Sequence, residues 1–279
     1  MQTIPNWAGL WKELVELNHY WQEGWDNLED RWKSRAQTFS EGVEKRWSHP
    51  DSSRDFFISR LHAVPEATVV DIGAGTGAWA ILAARYAASV TAIERSAAML
   101  EIMRQNLVKT GTSNVRIVPG SWPDVEIEPH DYSLCSHAMY GAADLPGFIR
   151  KMVAVTRRTC FFLIRAPELD ALMAEFARMV LGHPYDSPNF VIAYNTLIEM
   201  GIYANVLTED SGHWKPWTND SLEEALEEVK RRLGLKNNAS HDAAIYRRLK
   251  DELTYVDGKY VWPPGVRSVL VYWDVMRET

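Results

Sequence analysis

Val69-Val-Asp71-Ile-Gly73-Ala-Gly75-Thr-Gly77-Ala-Trp-Ala80 is the stretch that decides the fold. A β-branched run, Thr68–Ile72, leads straight into glycines at 73, 75 and 77, and a helical pattern follows over 77–87. Glycines let the turn take positive φ and let a ligand reach the backbone with no Cβ in the way. The free N–H groups at the start of the next helix then face whatever is bound. Twenty-one residues after Gly73, at the end of the next apolar run, stands Glu94. A carboxylate there is placed to accept hydrogen bonds from the two hydroxyls of a ribose. Together these features point to a nucleoside-containing ligand.

Outward from that turn, short apolar runs alternate with helical stretches. Thr68–Ile72, Ser89–Glu94, Val115–Pro119, Tyr132–Ser136 and Cys160–Arg165 read as strands, with helices near 77–87, 97–109 and 145–156 between them. That alternation predicts βαβ units and a parallel sheet covered by helices on both faces.

Residues 168–279 are more mixed. Phe190–Met200 followed by Gly201 reads as a helix, and Ile202–Leu207 as a strand. Ser221-Leu-Glu-Glu224 is a capping box that opens a helix over Leu222–Leu233, with acids first and Lys230–Arg232 last. Another helix covers about 241–253, Asp257-Gly258 marks a hairpin within 255–261, and Val266–Val275 is the last strand. On the other side of the turn, residues 6–61 are helical in pattern and carry six of the twelve tryptophans. Trp7, Trp11, Leu14, Trp21, Trp25, Leu28 and Trp32 share one helix face, which either packs on the rest of the protein or lines a pocket or partner surface. The expected division is a helical cap over 1–61, a nucleoside-binding core over 62–169, a helix, strand and lid helices over 170–254, and a hairpin and closing strand over 255–279.

The chain has 279 residues, 46% of them apolar, which is enough to bury a core without disulfides or metal. Thirty Lys+Arg against thirty-seven Asp+Glu leave a net charge of −7, which argues against nucleic acid as a partner. Cys135 and Cys160 form neither a disulfide framework nor a zinc spacing, so no metal and a reducing compartment are expected. With no leader-like start and no run of ~18 apolar residues, a cytoplasmic protein without membrane contact is the expectation.

Gly73-Ala-Gly75-Thr-Gly77-Ala78 can be forced into a dinucleotide fingerprint, which would imply an NAD-dependent oxidoreductase. Asp71 two residues ahead of the first glycine, Gly77 two after the second, and the 67 residues before the strand all oppose it. Asp71-Ile-Gly73-Ala-Gly75-Thr-Gly77 instead resembles the first motif of class I S-adenosylmethionine-dependent methyltransferases, small-molecule type. Glu94-Arg-Ser-Ala-Ala-Met99-Leu resembles their second motif, Val118-Pro-Gly120-Ser121-Trp122 their adenine-side stretch, and His130–Tyr140 their fourth-strand region. Upstream, Trp32-Lys-Ser-Arg35-Ala-Gln-Thr-Phe39 resembles the aromatic segment that many small-molecule members carry ahead of the first motif. The resemblance spans roughly residues 30–170. One departure stands out: the family's aspartate near the adenine amino group is Ser121 here, and Trp122 beside it either stacks on the base or is a core indole.

The resemblance implies a Rossmann-like α/β fold, doubly wound around a seven-stranded sheet, with an N-terminal helical cap and a mainly helical C-terminal insertion. It implies S-adenosylmethionine as cofactor, S-adenosylhomocysteine as product, and a small-molecule methyl acceptor. It places Asp71, Gly73, Ala74, Gly75, Thr76, Gly77 and Ser136 around the methionine part, and Glu94 and Arg95 at the ribose. Met99, Gly120, Ser121 and Trp122 fall at the adenine, and Trp32, Arg35 and Phe39 in a lid. Methyl transfer needs alignment, worth ~7–11 kcal/mol, more than it needs a metal or a covalent intermediate. His137, just after the fourth strand, is either a general base or a residue that fixes its loop, and Tyr140 is a second candidate base. His213-Trp214-Lys215-Pro216-Trp217 either closes over the acceptor or packs on a helix; its aromatics suggest a flat, apolar or cationic molecule. A non-catalytic cofactor-binding protein that uses the Trp face for a partner stays open as the alternative, as does the oligomeric state, a dimer included.

Overall fold

The computed structural model describes residues 6–19 and 32–275. Its main sheet is seven-stranded: β1 Thr68–Ile72, β2 Ser89–Glu94, β3 Val115–Pro119, β4 His130–Ser136, β5 Thr156–Pro167, β6 Asn205–His213 and β10 Val266–Asp274, in the order β3-β2-β1-β4-β5-β10-β6. The first five run parallel, and β10 is antiparallel to both β5 and β6. The order reverses between β1 and β4, so a crevice opens beyond their carboxyl ends.

Alternation along the central strands builds the two faces. Val70, Cys135, Phe162, Ile164 and Val271 turn to one core, and Val69, Leu134, Phe161, Leu163 and Leu270 to the other. The first core is covered by α1 Trp7–His19, α6 Leu145–Ala154 and α8 Phe190–Glu199. The second is covered by α3 Ser52–His62, α4 Ala78–Ala84 and α5 Ala97–Thr110. Between α1 and α3, α2 Ala36–Trp47 packs on α4 and α5.

Trp11 is fully buried, and its indole N–H donates to the Ala142 carbonyl at 2.7 Å. Trp7 meets Tyr185 edge-on. These two members of the tryptophan face belong to the packing of α1 on α6 and α8, whereas Trp21, Trp25 and Leu28 lie outside the described residues.

The C-terminal part forms its own third core. There α7 Leu172–Leu181, α9 Leu222–Arg232 and α10 Asp242–Glu252 close around Trp262. The hairpin of β8 Thr254–Val256 and β9 Lys259–Val261 turns on Asp257 and Gly258, both at positive φ, as the Asp-Gly pair requires. It pairs with β7 Thr218–Asn219 in a separate three-stranded sheet, and only β10 of the expected closing segment joins the main one. Among the described residues no helix is long and apolar enough to cross a membrane, and no group of His, Cys, Asp or Glu is arranged to hold a metal.

Candidate active site at the strand ends

At the switch point lies a cleft of about 910 Å³. Its floor is Asp71 and the turn Gly73–Thr76; one wall is Ser136 and His137 after β4, and the other is the face of α2 with Phe39, Val43, Arg46 and Trp47. The outer rim comes from β6 and the following loop, with Glu209, His213, Trp214 and Lys215, and from Ser268 on β10.

The glycines are required by geometry. A Cβ at Gly73 would sit 2.2 Å from the Ala138 Cβ, so the segment after β4 presses on the turn. At Gly75, with φ +56, the Cβ direction points into the cleft and the nearest atom is a ring carbon of Phe39 at 3.9 Å. Gly77 starts α4 in the left-handed region.

Glu94 closes the turn from behind. One carboxylate oxygen accepts the Gly75 N–H at 2.8 Å, and the other accepts the N–H groups of Arg95 and Ser96 at the same distance. Ser96 in turn caps α5, accepting from the Met99 N–H.

Asp71 is 1% exposed, and neither carboxylate oxygen has a hydrogen-bond partner. Burial, then the charge of Glu94, pushes its pKa up to about 7; the Ala80 N–H pulls the other way without reaching hydrogen-bond geometry. A buried carboxylate of this kind calls for a cation. The ammonium of an amino-acid moiety lying over the turn would complete it, so the residues present fit S-adenosylmethionine.

On the opposite wall, His137 holds φ +53, unusual for a residue with a Cβ, while its backbone N–H donates to the Leu163 carbonyl. Its ring contacts the Tyr140 hydroxyl at 2.8 Å and the Ser268 hydroxyl at 3.3 Å, and lies edge-on to Trp214. Burial, then Arg46 and Arg165, lowers its pKa to about 3, so the imidazole is neutral at physiological pH. Burial likewise pushes the Tyr140 phenol up.

The structure thus gathers Phe39, Asp71, Gly73, Ala74, Gly75, Thr76, Ser136 and His137 in one cleft, with Gly77, Glu94 and Tyr140 directly behind it. Trp32 reaches the rim through an edge contact with Phe39, and Arg35 is exposed in the turn before α2. Arg95, Met99, Gly120 and Ser121 do not line this cleft; Met99 is buried and Gly120 donates its N–H to the Glu94 carbonyl. Trp122 packs edge-on to Phe148, and its indole N–H donates to the Phe148 carbonyl. That placement favours the core-indole reading over stacking on a base.

Much of the rest of the cleft lining was not apparent from sequence, Val43, Arg46, Trp47 and Ser268 included. Val43, Arg46 and Trp47 continue the helical period from Phe39, a signal that was there to be used. Ser268 has none, because it arrives through the antiparallel pairing of β10 with β5, opposite Arg165. In the aromatic loop, the Trp214 indole N–H donates to Ser268 at 2.9 Å, His213 and Arg267 share Glu168, and Trp217 lies under Arg232 and edge-on to Trp262. The loop is therefore anchored along the cleft.

Comparison with known proteins bears on the domain and the fold. Residues 69–159 match a family model described as a methyltransferase domain. A Haemophilus influenzae protein described as uncharacterized is 23% identical over 278 residues, 98% of this chain and 97% of that one. The protein-L-isoaspartate O-methyltransferase of Methanoregula boonei is 45% identical, but over 60 residues, 22% of this chain and 28% of that one. Among solved structures, the YcgJ protein of Bacillus subtilis superposes with a TM-score of 0.52 at 15% identity, over 81% of this chain and 99% of that one.

Proposed function

We propose that this chain, whose residues 69–159 match a methyltransferase-domain model, is a class I S-adenosylmethionine-dependent methyltransferase that moves a methyl group to a small-molecule acceptor. The observation that carries the reading is the unpartnered, buried Asp71 carboxylate beneath the glycine turn, with Glu94 at the end of β2 accepting the Gly75 N–H of that turn. The cofactor is S-adenosylmethionine, whose sulfonium supplies an activated methyl group.

Asp71 would hold the ammonium of the amino-acid moiety and Glu94 the ribose hydroxyls, with Gly75 giving the backbone close approach. Gly73, Ala74, Thr76 and Ser136 would shape that end of the cleft, with Gly77 behind the turn, and Arg95, Met99, Gly120 and Ser121 would meet the adenine past Glu94, whereas Trp122 stays packed on Phe148. Phe39, supported by Trp32, covers the cleft and excludes water, and Arg35 belongs to the same lid.

Held there, the cofactor would supply a methyl group open to in-line attack by an acceptor lone pair, with the electron pair of the carbon–sulfur bond left on sulfur. Alignment of the two partners by the cleft walls is the main contribution of the protein, worth ~7–11 kcal/mol. His137 and Tyr140 act on the acceptor side. Two buried, free thiols fit a reducing, cytoplasmic setting.

Incubation with methyl-labelled S-adenosylmethionine and a deproteinised small-molecule extract tests this reading. Label should pass into a low-molecular-mass product with the wild type and not with Glu94→Ala. Transfer only to added protein or nucleic acid, or none at all, overturns it.

A further inference from the structure

His137 stands between two hydroxyls, and the other partners of those hydroxyls fix where each proton lies. Nδ1 faces the Tyr140 hydroxyl at 2.8 Å and Nε2 the Ser268 hydroxyl at 3.3 Å. The outer partners are fixed donors. The Arg165 backbone N–H donates to the Tyr140 oxygen at 2.8 Å, and the Trp214 indole N–H to the Ser268 oxygen at 2.9 Å. Burial, with the charges of Arg46 on α2 and Arg165 on β5, keeps the imidazole neutral, so it has one N–H and one lone pair. Tyr140, His137 and Ser268 together bring three protons to two bonds. One proton is left over.

Two arrangements share out those protons. In the first, Nδ1–H donates to Tyr140 and Nε2 accepts from Ser268, as the nitrogen of a base would. The surplus is then the phenolic proton, which has no other partner among the described residues and does not line the cleft. In the second, Tyr140 donates to Nδ1 and Nε2–H donates to Ser268. Trp214 and His137 then fill both lone pairs of Ser268, and the surplus proton is its own. Ser268 lines the cleft, so that proton can find a partner from outside the protein. An enclosed donor without an acceptor is costly, and the second arrangement avoids it.

Sheet order says which ligand meets that proton. Ser268 lies on β10, three strands from Asp71 on β1 in the run β1-β4-β5-β10. At the usual spacing between strands that is roughly 14 Å. Glu94, at the end of β2, lies on the other side of β1. A nucleoside spanning Asp71 and Glu94 therefore runs away from Ser268, and the part of the cleft beside Ser268 is left to the acceptor.

We propose, resting on the methyl-transfer reading above, that Ser268 is the hydrogen-bond donor that meets the acceptor, and that His137 is its positioning residue and not a base. The imidazole has no lone pair turned to the cleft: the phenolic proton takes Nδ1, and Nε2 carries a proton of its own. His137 therefore takes no proton during methyl transfer. Tyr140 holds the tautomer, and Arg165 holds Tyr140 through its backbone N–H and a guanidinium 5.1 Å over the phenol ring. The group that Ser268 recognises carries a lone pair, an oxygen or an unprotonated nitrogen of the acceptor; an ammonium offers it none.

Two measurements test the proposal. Nitrogen-15 NMR of histidine-labelled protein at neutral pH, with the His137 signals assigned by their absence from His137→Gln, should show Nε2 protonated and Nδ1 not. Protonation at Nδ1, or at both nitrogens, overturns it. Transfer of label from methyl-labelled S-adenosylmethionine to a deproteinised small-molecule extract then separates a positioning donor from a base. The amide introduced by His137→Gln can still donate to Ser268 but cannot take up a proton. His137→Leu should lose about tenfold in rate, the cost of one misplaced hydrogen bond, and His137→Gln should recover most of that loss. Ser268→Ala should fall by about the same factor with its affinity for S-adenosylhomocysteine unchanged, and adding His137→Leu to it should cost little more. A base would cost ~100-fold or more in both His137 variants alike. That result, or an unchanged rate in Ser268→Ala, overturns the proposal. No transfer by the wild type, whatever the tautomer, strikes the methyl-transfer reading, and this inference falls with it.

Discussion

Asp71 in the floor of the cleft and His137 in its wall have opposite pH behaviour. The Asp71 pKa stands at about 7 in the folded protein against 3.8 for an ordinary aspartate. Between those values the unfolded chain binds fewer protons, so this carboxyl lowers stability as pH rises from about 4 to 7, by up to ~4 kcal/mol. Asp71→Asn should therefore unfold at higher urea than the wild type at pH 8, with the gain vanishing toward pH 4, and should bind S-adenosylhomocysteine more weakly. Equal stability at pH 8 would show that the carboxyl is not held in this environment. His137 has the reverse sign: its pKa is lowered to about 3 from 6.5, so its contribution is complete above pH 6.5 and is lost as pH falls toward 3. In the same urea series His137→Gln should lose less stability than the wild type between pH 6 and 4. Asp71 was legible in sequence from its place before the glycines. Its missing partners were not, because they depend on what β4 and α4 fail to supply.

At the level of elements, the glycine turn works because Ala138 packs against Gly73. Gly73→Ala should cost on the order of 2–4 kcal/mol through overpacking and an unfavourable positive φ. Adding Ala138→Gly should recover the packing part, a coupling of ~1 kcal/mol or more in a double-mutant cycle; strict additivity would place the strain elsewhere. Removing the Ser221 hydroxyl, which accepts the Glu224 N–H, should lower stability by ~1 kcal/mol in thermal or urea melts. Elements with such punctuation were readable: β1, β2 and β3 have the expected bounds, and α5 and α9 begin at their capping serines. Helix α7 was not anticipated, because Ala171 before it offers no side-chain cap. β6 runs on past the expected Leu207 through Glu209 and Asp210 to His213, since an edge strand tolerates polar residues that hide its period. β7, two residues long, has no period to read.

Over the whole molecule, the sheet divides two cores, and the N-terminal tryptophans Trp7 and Trp11 are spent on the first of them. A partner-binding role for that face has therefore lost these two residues to packing. The alternation of strands and helices was enough to foresee a parallel sheet covered on both faces, and the resemblance of the glycine turn supplied its doubly wound, seven-stranded form. Which residues line the outer part of the cleft was not foreseeable, because it is assembled from α2, β6 and β10, segments far apart in sequence that meet only through sheet order and helix packing. The central claim, a cleft built for a sulfonium nucleoside and not for a dinucleotide, is tested most directly by calorimetric titration. S-adenosylhomocysteine and NAD would each be titrated into the wild type and into Glu94→Ala at unchanged far-ultraviolet circular dichroism. The account predicts saturable one-site binding of S-adenosylhomocysteine to the wild type, a loss of at least about tenfold in the variant, and no binding of NAD; one lost charged hydrogen bond accounts for that factor. Binding of NAD in place of S-adenosylhomocysteine, or equal affinity in both proteins, would contradict it.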